Sequence, residues 1–260
     1  MGKFYKSGLL VLAFFLSSFI LLRPKEKPTL FLIGDSTVKN GTYGRGDGGL
    51  WGWGSFLHNF FDTTKIAVQN RALGGTSSRS FQTNGLWAKV LNDIKPGDFV
   101  LIQFGHNDNG SASIKGNGDE TREVEDPKTK QKVIAHSYGW NLRKYISDTR
   151  AKGATPVVLS LVPRNIWTNG KINRATNDFS KWAREAAEQE RAAFVDLNRL
   201  IADQYDKIGE GNVLGTYFTS KDHTHTIEAG AKMNAGCVVD GLKELKKNPL
   251  KKYLLKSSSH

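Results

Sequence analysis

Short apolar runs, separated by longer helical patterns, constrain the fold of this sequence more than any other feature. The first run, Leu30 to Ile33, is apolar at every position, as expected for a strand buried on both faces. Such runs alternate with stretches long enough for helices, which is the pattern of a parallel sheet. Five strands are predicted, at residues 29–34, 65–70, 98–104, 155–161 and 193–196. The sequence therefore predicts an α/β protein with a three-layer, flavodoxin-like fold, in which helices cover both faces of a five-stranded parallel sheet.

The chain divides into a leader, one domain and a basic tail. Residues 24–250 are predicted to form the domain, with helices at residues 54–61, 81–91, 140–152, 175–191, 197–208 and 227–245. Residues 251–260 contain lysines without a regular pattern and are predicted to be disordered. Residues 105–137 also lack a regular pattern. Because they follow the third strand, they should form a loop that overhangs the carboxyl edge of the sheet.

Residues 1–23 have the composition of a targeting segment. Lys3 and Lys6 precede an apolar stretch from residue 8 to residue 22. This stretch is shorter than the roughly 20 residues that a membrane-spanning helix needs, but it matches the core of a signal peptide. Export to an extracellular or periplasmic location is therefore predicted. No small-residue cleavage site stands out, so an uncleaved N-terminal membrane anchor is an open alternative.

Composition limits the partners and cofactors of the chain. The formal net charge is +12, with lysines concentrated towards the C-terminus, and a basic surface attracts anionic polymers. No nucleic-acid-binding motif accompanies this charge, so no nucleic-acid partner is predicted. Cys237 is the single cysteine, which excludes an intramolecular disulfide and any multi-cysteine metal site. No cofactor is predicted, and the chain is expected to be a monomer.

Two parts of the sequence, far apart along the chain, have the residue types of a nucleophile and its base. Ser36, in a Gly-Asp-Ser sequence directly after the first strand, is the candidate nucleophile. Near the C-terminus, Asp222 precedes His225 by three residues in one short turn. A carboxylate that accepts a hydrogen bond from one imidazole nitrogen leaves the other nitrogen able to take a proton. We therefore predict that Ser36, His225 and Asp222 act as nucleophile, general base and orienting acid.

Two further segments fall at the same edge of the predicted sheet. The turn after the second strand contains Gly75, and the loop after the third strand contains Asn107. Acyl transfer needs hydrogen-bond donors for the oxyanion that forms when a nucleophile attacks a carbonyl group. The backbone N–H groups of Ser36 and Gly75, together with the side-chain amide of Asn107, form the predicted oxyanion hole.

The four segments that contain the predicted catalytic and oxyanion residues resemble a known family. Their order, Gly-Asp-Ser, Gly, Gly-His-Asn-Asp and Asp-x-x-His, resembles the SGNH (GDSL) hydrolases, and residues 70–80 and 222–226 are similar to the rhamnogalacturonan acetylesterases of that superfamily. The resemblance implies Ser36 as nucleophile, Asp222 and His225 as its partners, and Gly75 and Asn107 as oxyanion donors. Together with the export predicted from residues 1–23, it implies a secreted serine esterase that removes O-acetyl groups from plant cell-wall polysaccharide, with pectic rhamnogalacturonan as the preferred substrate.

Other interpretations of these residues stay open. A lipid esterase or an acetylxylan esterase of the same superfamily would use the same catalytic residues on another acyl substrate. His106 and His223 lie beside carboxylates and allow a metal-dependent phosphoesterase, but the Asp-x-His that opens that family's first motif is absent, and no metal site is predicted. Trp51 and Trp167 are candidates for stacking on sugar rings, with packing in the core as the alternative for each.

Overall fold

A five-stranded parallel sheet lies at the centre of the computed structural model, which describes residues 26–41, 49–126 and 130–256. The strands of the described residues are β1 (Thr29–Gly34), β2 (Ala67–Asn70), β3 (Phe99–Gln103), β4 (Thr121–Glu125), β5 (Lys132–His136), β6 (Thr155–Leu159), β7 (Trp167–Thr168), β8 (Lys171–Ile172) and β9 (Ala193–Val195). The central sheet has the order β2-β1-β3-β6-β9, and each neighbouring pair in it is parallel. The predicted flavodoxin-like sheet is confirmed.

Alternating side chains of the central strands divide the core into two layers. Leu30 and Leu32 of β1 pack on one face of the sheet, while Phe31 and Ile33 pack on the other, and each is at most 1% exposed. Successive side chains of a strand point to opposite faces, so helices must cover both. The helices are α1 (Ser78–Thr83), α2 (Leu86–Asp93), α3 (Tyr138–Ala151), α4 (Phe179–Gln189), α5 (Leu197–Ile208), α6 (Glu210–Val213) and α7 (Glu228–Glu244). Helices α5 and α7 cover the first face, and α1 to α4 cover the second.

Two of the predicted helices have a different form in the structure. The predicted helix at residues 54–61 consists of two short 3-10 helices, Trp53–Ser55 and Leu57–Phe60. The predicted helix at residues 81–91 is interrupted between α1 and α2 by Gly85, which has φ +74°. This left-handed conformation suits glycine and ends the regular helical path. The first turn of α1 begins earlier than predicted, because Ser77 and Ser80 form a capping box there.

The segment between β3 and α3 contains an antiparallel hairpin that the sequence does not predict. Strands β4 and β5 pair over their full lengths, and most of their side chains are exposed. Because charged residues occupy both strands, no apolar face marks them in the sequence. Arg143 of α3 donates hydrogen bonds to the backbone oxygens of Asn117 and Gly118, at 2.6 and 3.1 Å. The segment that was expected to be an irregular loop is therefore held against the domain.

The described part of the C-terminal segment packs against the domain. Lys251–Tyr253 form a 3-10 helix, and the carbonyl of Tyr253 accepts a hydrogen bond from the N–H of Asp62 (2.8 Å). The predicted disorder of the tail is therefore wrong for residues 251–255. The predicted leader, residues 1–23, lies outside the described residues. Within the part of the chain that the structure describes, every helix is too short or too polar to span a bilayer.

Two glycines of α7 form a matched pair that tests how closely this helix packs. A Cβ at Gly241 would lie 2.3 Å from Val195 Cγ1 and 2.8 Å from Leu200 Cδ1, whereas a Cβ at Gly236 would come no closer than 3.9 Å to Phe60. We predict that Gly241→Ala lowers the free energy of unfolding by about 1–3 kcal/mol through overpacking. Gly236→Ala should raise it by about 0.5–1 kcal/mol, since alanine favours the helix. Urea unfolding measures both changes, and equal effects would contradict close packing at Gly241.

Candidate active site

Ser36 lies in a tight turn directly after β1. Gly34, the last residue of β1, is so close to its neighbours that a Cβ there would lie 2.5 Å from the Gln103 carbonyl oxygen and 2.6 Å from Val38 Cγ2. Glycine alone fits this approach. The N–H of Val38 donates to the carbonyl of Asp35 (3.2 Å) and closes the turn. The half-buried Ser36 is thereby fixed at the carboxyl end of β1.

The structure brings Ser36, His225 and Asp222 together. Ser36 Oγ and His225 Nε2 are 2.8 Å apart, although 189 positions separate the two residues in the chain. On the other side of the ring, His225 Nδ1 lies 2.7 Å from Asp222 Oδ2. The three side chains form one hydrogen-bonded chain, in which the imidazole is placed to take the proton of the hydroxyl.

Local hydrogen bonds hold the Asp222 carboxylate in position. Its Oδ1 accepts hydrogen bonds from the N–H groups of Thr224 (2.7 Å) and His225 (2.9 Å), which is an Asx turn and leaves Oδ2 for the imidazole. Burial by itself would raise the pKa of Asp222. The hydrogen bonds from the backbone and ring of His225 and from Thr224 outweigh this effect and hold the pKa below its ordinary value. The carboxylate is therefore ionised at neutral pH and can stabilise an imidazolium.

Gly75 and Asn107 belong to loops that border Ser36. A Cβ at Gly74 would lie 3.6 Å from the Cβ of Ser36, so the turn after β2 reaches Ser36. Asn107 Nδ2 donates to the carbonyl of Thr76 (3.1 Å) and ties the loop after β3 to that turn. Gly75 has φ +75°, which glycine adopts without strain. The N–H groups of Gly75 and Ser36 donate to no residue in the described part of the chain and can bind an oxyanion.

Below Ser36 lies a buried chain of hydrogen bonds that the sequence does not predict. Trp53 Nε1 donates to Gln103 Oε1 (2.7 Å). Gln103 Nε2 donates to Thr37 Oγ1 (2.7 Å), which donates in turn to Asp35 Oδ1 (2.8 Å). These four side chains are at most 5% exposed. The available signal is Gln103 itself, an amide within the apolar run of β3, because a buried polar group must find partners.

Asp108 connects the loop after β3 to α1 from a buried position. Its Oδ1 accepts hydrogen bonds from the backbone N–H (3.0 Å) and the hydroxyl (2.6 Å) of Ser78, the first residue of α1. Burial raises the pKa of Asp108 to about 7, since the hydrogen bonds from Ser78 offset only part of the cost of removing the carboxylate from water. The Gly-His-Asn-Asp motif contains Asp108, but no feature of the sequence identifies Ser78 as its partner.

The two histidines that suggested a metal site have different environments. His106 is buried, and burial lowers its pKa, so the ring is neutral at pH 7. His223 is exposed, and its backbone carbonyl accepts a hydrogen bond from the N–H of Asn165 (2.7 Å). Among the described residues, no three His, Cys, Asp or Glu side chains cluster closely enough to hold a metal ion. His223 contributes its backbone to the site, and His106 contributes a buried, uncharged ring.

Trp51, the first candidate for sugar stacking, lies beside the catalytic turn. Its N–H donates to the carbonyl of Thr226 (2.8 Å), and its own carbonyl accepts from the Thr226 hydroxyl (2.9 Å). The half-buried ring packs on Phe56, with the ring centres 5.2 Å apart. Because Thr226 directly follows His225, Trp51 stabilises the turn that contains His225. Its role in substrate binding stays a prediction.

Trp167, the second candidate, packs against the core. It is half-buried, and its Nε1 donates to Asn165 Oδ1 (2.6 Å) within the same loop. Another tryptophan, Trp182 of α4, lines a cavity together with Gly105. The sequence does not single out Trp182, because it lies on the helical face that also contacts the core.

Comparison with known proteins assigns the chain to a family. The profile of the GDSL-like lipase/acylhydrolase family matches residues 32–232. The chain belongs to this family. The rhamnogalacturonan acetylesterase of Emericella nidulans is 31% identical to it over 228 residues, which cover 85% of this chain and 86% of that protein. The probable rhamnogalacturonan acetylesterase YesY of Bacillus subtilis is 32% identical over 219 residues, which cover 83% of this chain and 93% of that protein.

A solved structure supports the same assignment. The YxiM protein of Bacillus subtilis shares the fold of this GDSL-family chain with a TM-score of 0.70 and 29% identity. The shared region covers 84% of this chain and 56% of that one. The predicted resemblance to SGNH hydrolases and to rhamnogalacturonan acetylesterases is confirmed, and the protein is a carboxylic ester hydrolase. All five predicted catalytic and oxyanion residues fall within the matched region.

Asp108 should give this GDSL-family protein a pH-dependent stability. Its pKa is about 7 in the fold but about 3.9 in an unfolded chain. Between these values the folded state binds a proton that the unfolded state lacks, so the free energy of unfolding falls as the pH rises from about 4 to 7. We predict a contribution of at most about 1.4 kcal/mol per pH unit, which Asp108→Asn removes while keeping an acceptor for Ser78. Urea unfolding across this pH range measures the slope, and an unchanged slope in the variant would assign it to another group.

Proposed function

We propose that this protein is an exported serine esterase that removes O-acetyl groups from plant cell-wall polysaccharide, with pectic rhamnogalacturonan as its substrate. The proposal depends on one observation, the hydrogen-bonded chain from Ser36 Oγ to His225 (2.8 Å) and from His225 to Asp222 (2.7 Å). A serine hydroxyl is a weak nucleophile by itself, and an adjacent imidazole that removes its proton activates it. The arrangement therefore supports covalent catalysis through an acetyl-enzyme.

Acylation begins when Ser36 Oγ attacks the carbonyl carbon of the acetyl group. His225 Nε2 takes the hydroxyl proton, and Asp222 stabilises the imidazolium that results. As the tetrahedral intermediate collapses, the ester bond to the sugar breaks. The proton passes from His225 to the sugar oxygen, which leaves as an alcohol, and the acetyl group remains on Ser36. Water then attacks the acetyl-enzyme with His225 again as base, which releases acetate and restores the serine.

Three donors can stabilise the charge that develops on the carbonyl oxygen. The backbone N–H groups of Ser36 and Gly75 supply two of them. The third is Asn107 Nδ2, one of whose two hydrogens is bound to the Thr76 carbonyl (3.1 Å). That hydrogen bond orients the amide and leaves the second hydrogen for the oxyanion. Donors fixed before the reaction are effective because they need no reorganisation as charge develops.

The choice of substrate is supported by the relatives and by charge. The rhamnogalacturonan acetylesterase of Emericella nidulans and YesY of Bacillus subtilis both match more than four-fifths of this chain. A net charge of +12 favours an acidic polymer such as pectin. Export is supported by the composition of the leader, in which Lys3 and Lys6 precede an apolar stretch.

Acetate release from polysaccharides tests this proposal. We expect a higher kcat/KM on acetylated rhamnogalacturonan than on acetylated xylan or on an octanoyl ester. Ser36→Ala should lose about 10⁶-fold in kcat, since removing the nucleophile disables the whole catalytic chain. Ser147→Ala, at an exposed position of α3, is the matched control and should keep wild-type activity. A higher kcat/KM on acetylated xylan or on the octanoyl ester would refute rhamnogalacturonan as the substrate. If Ser36→Ala kept a tenth of the wild-type activity, Ser36 would not be the nucleophile.

Loss of one oxyanion donor should affect the chemical step more than binding. Asn107→Ala is expected to lower kcat on p-nitrophenyl acetate by about 10²–10³-fold with little change in KM, because the amide binds charge that exists only in the transition state. Asn59→Ala, at an exposed position, serves as the control substitution. The melting temperature of Asn107→Ala shows how far the lost hydrogen bond to Thr76 destabilises the fold, and this effect can then be distinguished from loss of the oxyanion donor. An unchanged kcat in a folded Asn107→Ala protein would limit Asn107 to holding the loop.

A further inference from the structure

A cavity that the proposed mechanism does not use lies at the carboxyl edge of the sheet. Its volume is about 340 Å³, within the range of about 300–1,000 Å³ that small-molecule sites occupy. The loops after β3 and β6 and the beginning of α4 form its walls. Ligands of open parallel sheets bind beyond the carboxyl ends of the strands, which is where Ser36 also lies.

Chain connections place this cavity beside the catalytic residues. His106, which lines it, directly precedes Asn107. Arg164 also lines it, and the next residue, Asn165, donates its N–H to the carbonyl of His223 in the catalytic turn (2.7 Å). A ligand in the cavity would therefore contact the loops that hold the oxyanion donor and the base.

Two cationic side chains in the cavity have no partner among the residues that the structure describes. Neither the half-buried Arg164 nor the exposed Lys115 makes a hydrogen bond or ion pair through its side chain with any residue that the structure describes. Arg174, which also lines the cavity, is already paired with Asp203 (2.6 Å) and Asp206 (2.8 Å). The positive charge available to a ligand is therefore that of Arg164 and Lys115.

The remaining titratable groups leave this positive charge in excess. Asp178 is the acid among the described residues that line the cavity, and it is exposed at the start of α4. His106 is buried and uncharged at neutral pH. Among the described residues that line the cavity, one carboxylate thus faces two cations without a partner, and an anionic group would be attracted.

An apolar wall accompanies the charge. Phe179 and Trp182 meet edge to face, with ring centres 5.1 Å apart, and the side chain of Ile166 is 42% exposed. Apolar and aromatic surface can bury the C–H face of a ring, while a few polar groups fix its orientation. A purely inorganic anion would not use this wall, and a neutral sugar would leave Arg164 unpaired.

We propose that this cavity binds a uronic acid residue of the polysaccharide, with its carboxylate held by Arg164 and Lys115. The proposal rests on the proposed function and deepens it, since it names the sugar class that accompanies the acetylated residue. The planar guanidinium of Arg164 can donate two parallel hydrogen bonds to a carboxylate. The ammonium of Lys115 adds a second charge without a fixed geometry.

The test compares kcat/KM on two forms of one acetylated oligosaccharide that contains uronic acids. One form has free carboxylates, and in the other the carboxyl groups are methyl esters. The wild-type enzyme should have a kcat/KM about 10- to 100-fold higher on the free acid, because charge-assisted hydrogen bonds are lost in the ester. In Arg164→Ala the ratio of kcat/KM on the acid to that on the ester should fall to near one. Arg164→Lys should restore part of the ratio, and Lys115→Ala should lower it a few-fold. Lys247→Ala, an exposed lysine beyond α7, removes the same charge elsewhere and should keep the wild-type ratio. A wild-type ratio in a folded Arg164→Ala protein would overturn the proposal.

A binding measurement separates this proposal from the proposed function. Calorimetric titration with unacetylated oligogalacturonate needs no turnover, and Arg164→Ala should weaken binding by about 10- to 100-fold. Binding that depends on Arg164, without acetate release from any polysaccharide, would refute the proposed function and keep the uronate site. Acetate release that is equal for the acid and the methyl ester, with equal binding by wild type and variant, would refute the uronate site and keep the esterase.

Discussion

The parallel pairing of β1 with β3 fixes where Ser36, the proposed nucleophile, and Asn107, a proposed oxyanion donor, lie relative to each other. Strand β1 has β2 on one side and β3 on the other, so the strand order reverses at this point and leaves a crevice beyond the carboxyl ends. Ser36 follows β1, and Asn107 follows β3. Because both strands are buried at the centre of the sheet, the two residues cannot separate without breaking the core. The turn from Asp222 to His225 then completes the site from the opposite end of the chain, braced by Trp51 through Thr226.

Two carboxyl groups near Ser36 are buried, which lowers the stability of the fold. Asp35 and Asp108 are at most 2% exposed, and Asp35 Oδ2 has no hydrogen-bond partner among the described residues. Burying such a group is unfavourable unless it is paired or protonated. The backbone N–H and the hydroxyl of Thr37 both donate to the other oxygen of Asp35, Oδ1 (2.9 and 2.8 Å), while the raised pKa of Asp108 keeps much of that group neutral near pH 7. Protonation of Asp108 would also reduce its repulsion of the oxyanion that the proposed mechanism forms beside Asn107.

The sequence predicts a strand or a site residue correctly where the residue types alone determine its burial or its chemistry. Strand β1 was predicted at residues 29–34 and has those bounds, because an unbroken apolar run can be buried only between two layers. The sequence does not predict strands β4 and β5, because charged residues occupy both strands and neither has an apolar face that would mark it as a strand. In the site, Ser36, Asp222 and His225 are recognisable because acyl transfer needs a hydroxyl, an imidazole and a carboxylate. The bond between Asp108 and Ser78 is not recognisable, because it depends on which loops meet in space.

The residues proposed for catalysis and those proposed for substrate recognition lie on separate loops that a backbone hydrogen bond connects. The loop after β6 carries Arg164 and is attached to the catalytic turn through the N–H of Asn165 and the carbonyl of His223 (2.7 Å). Because backbone atoms make this contact, side chains on the loop can change without moving His225. The position of Ser36, by contrast, depends on the sheet and its buried polar chain. A family that includes both lipases and acylhydrolases can therefore vary the substrate through the loops while the sheet preserves the chemistry.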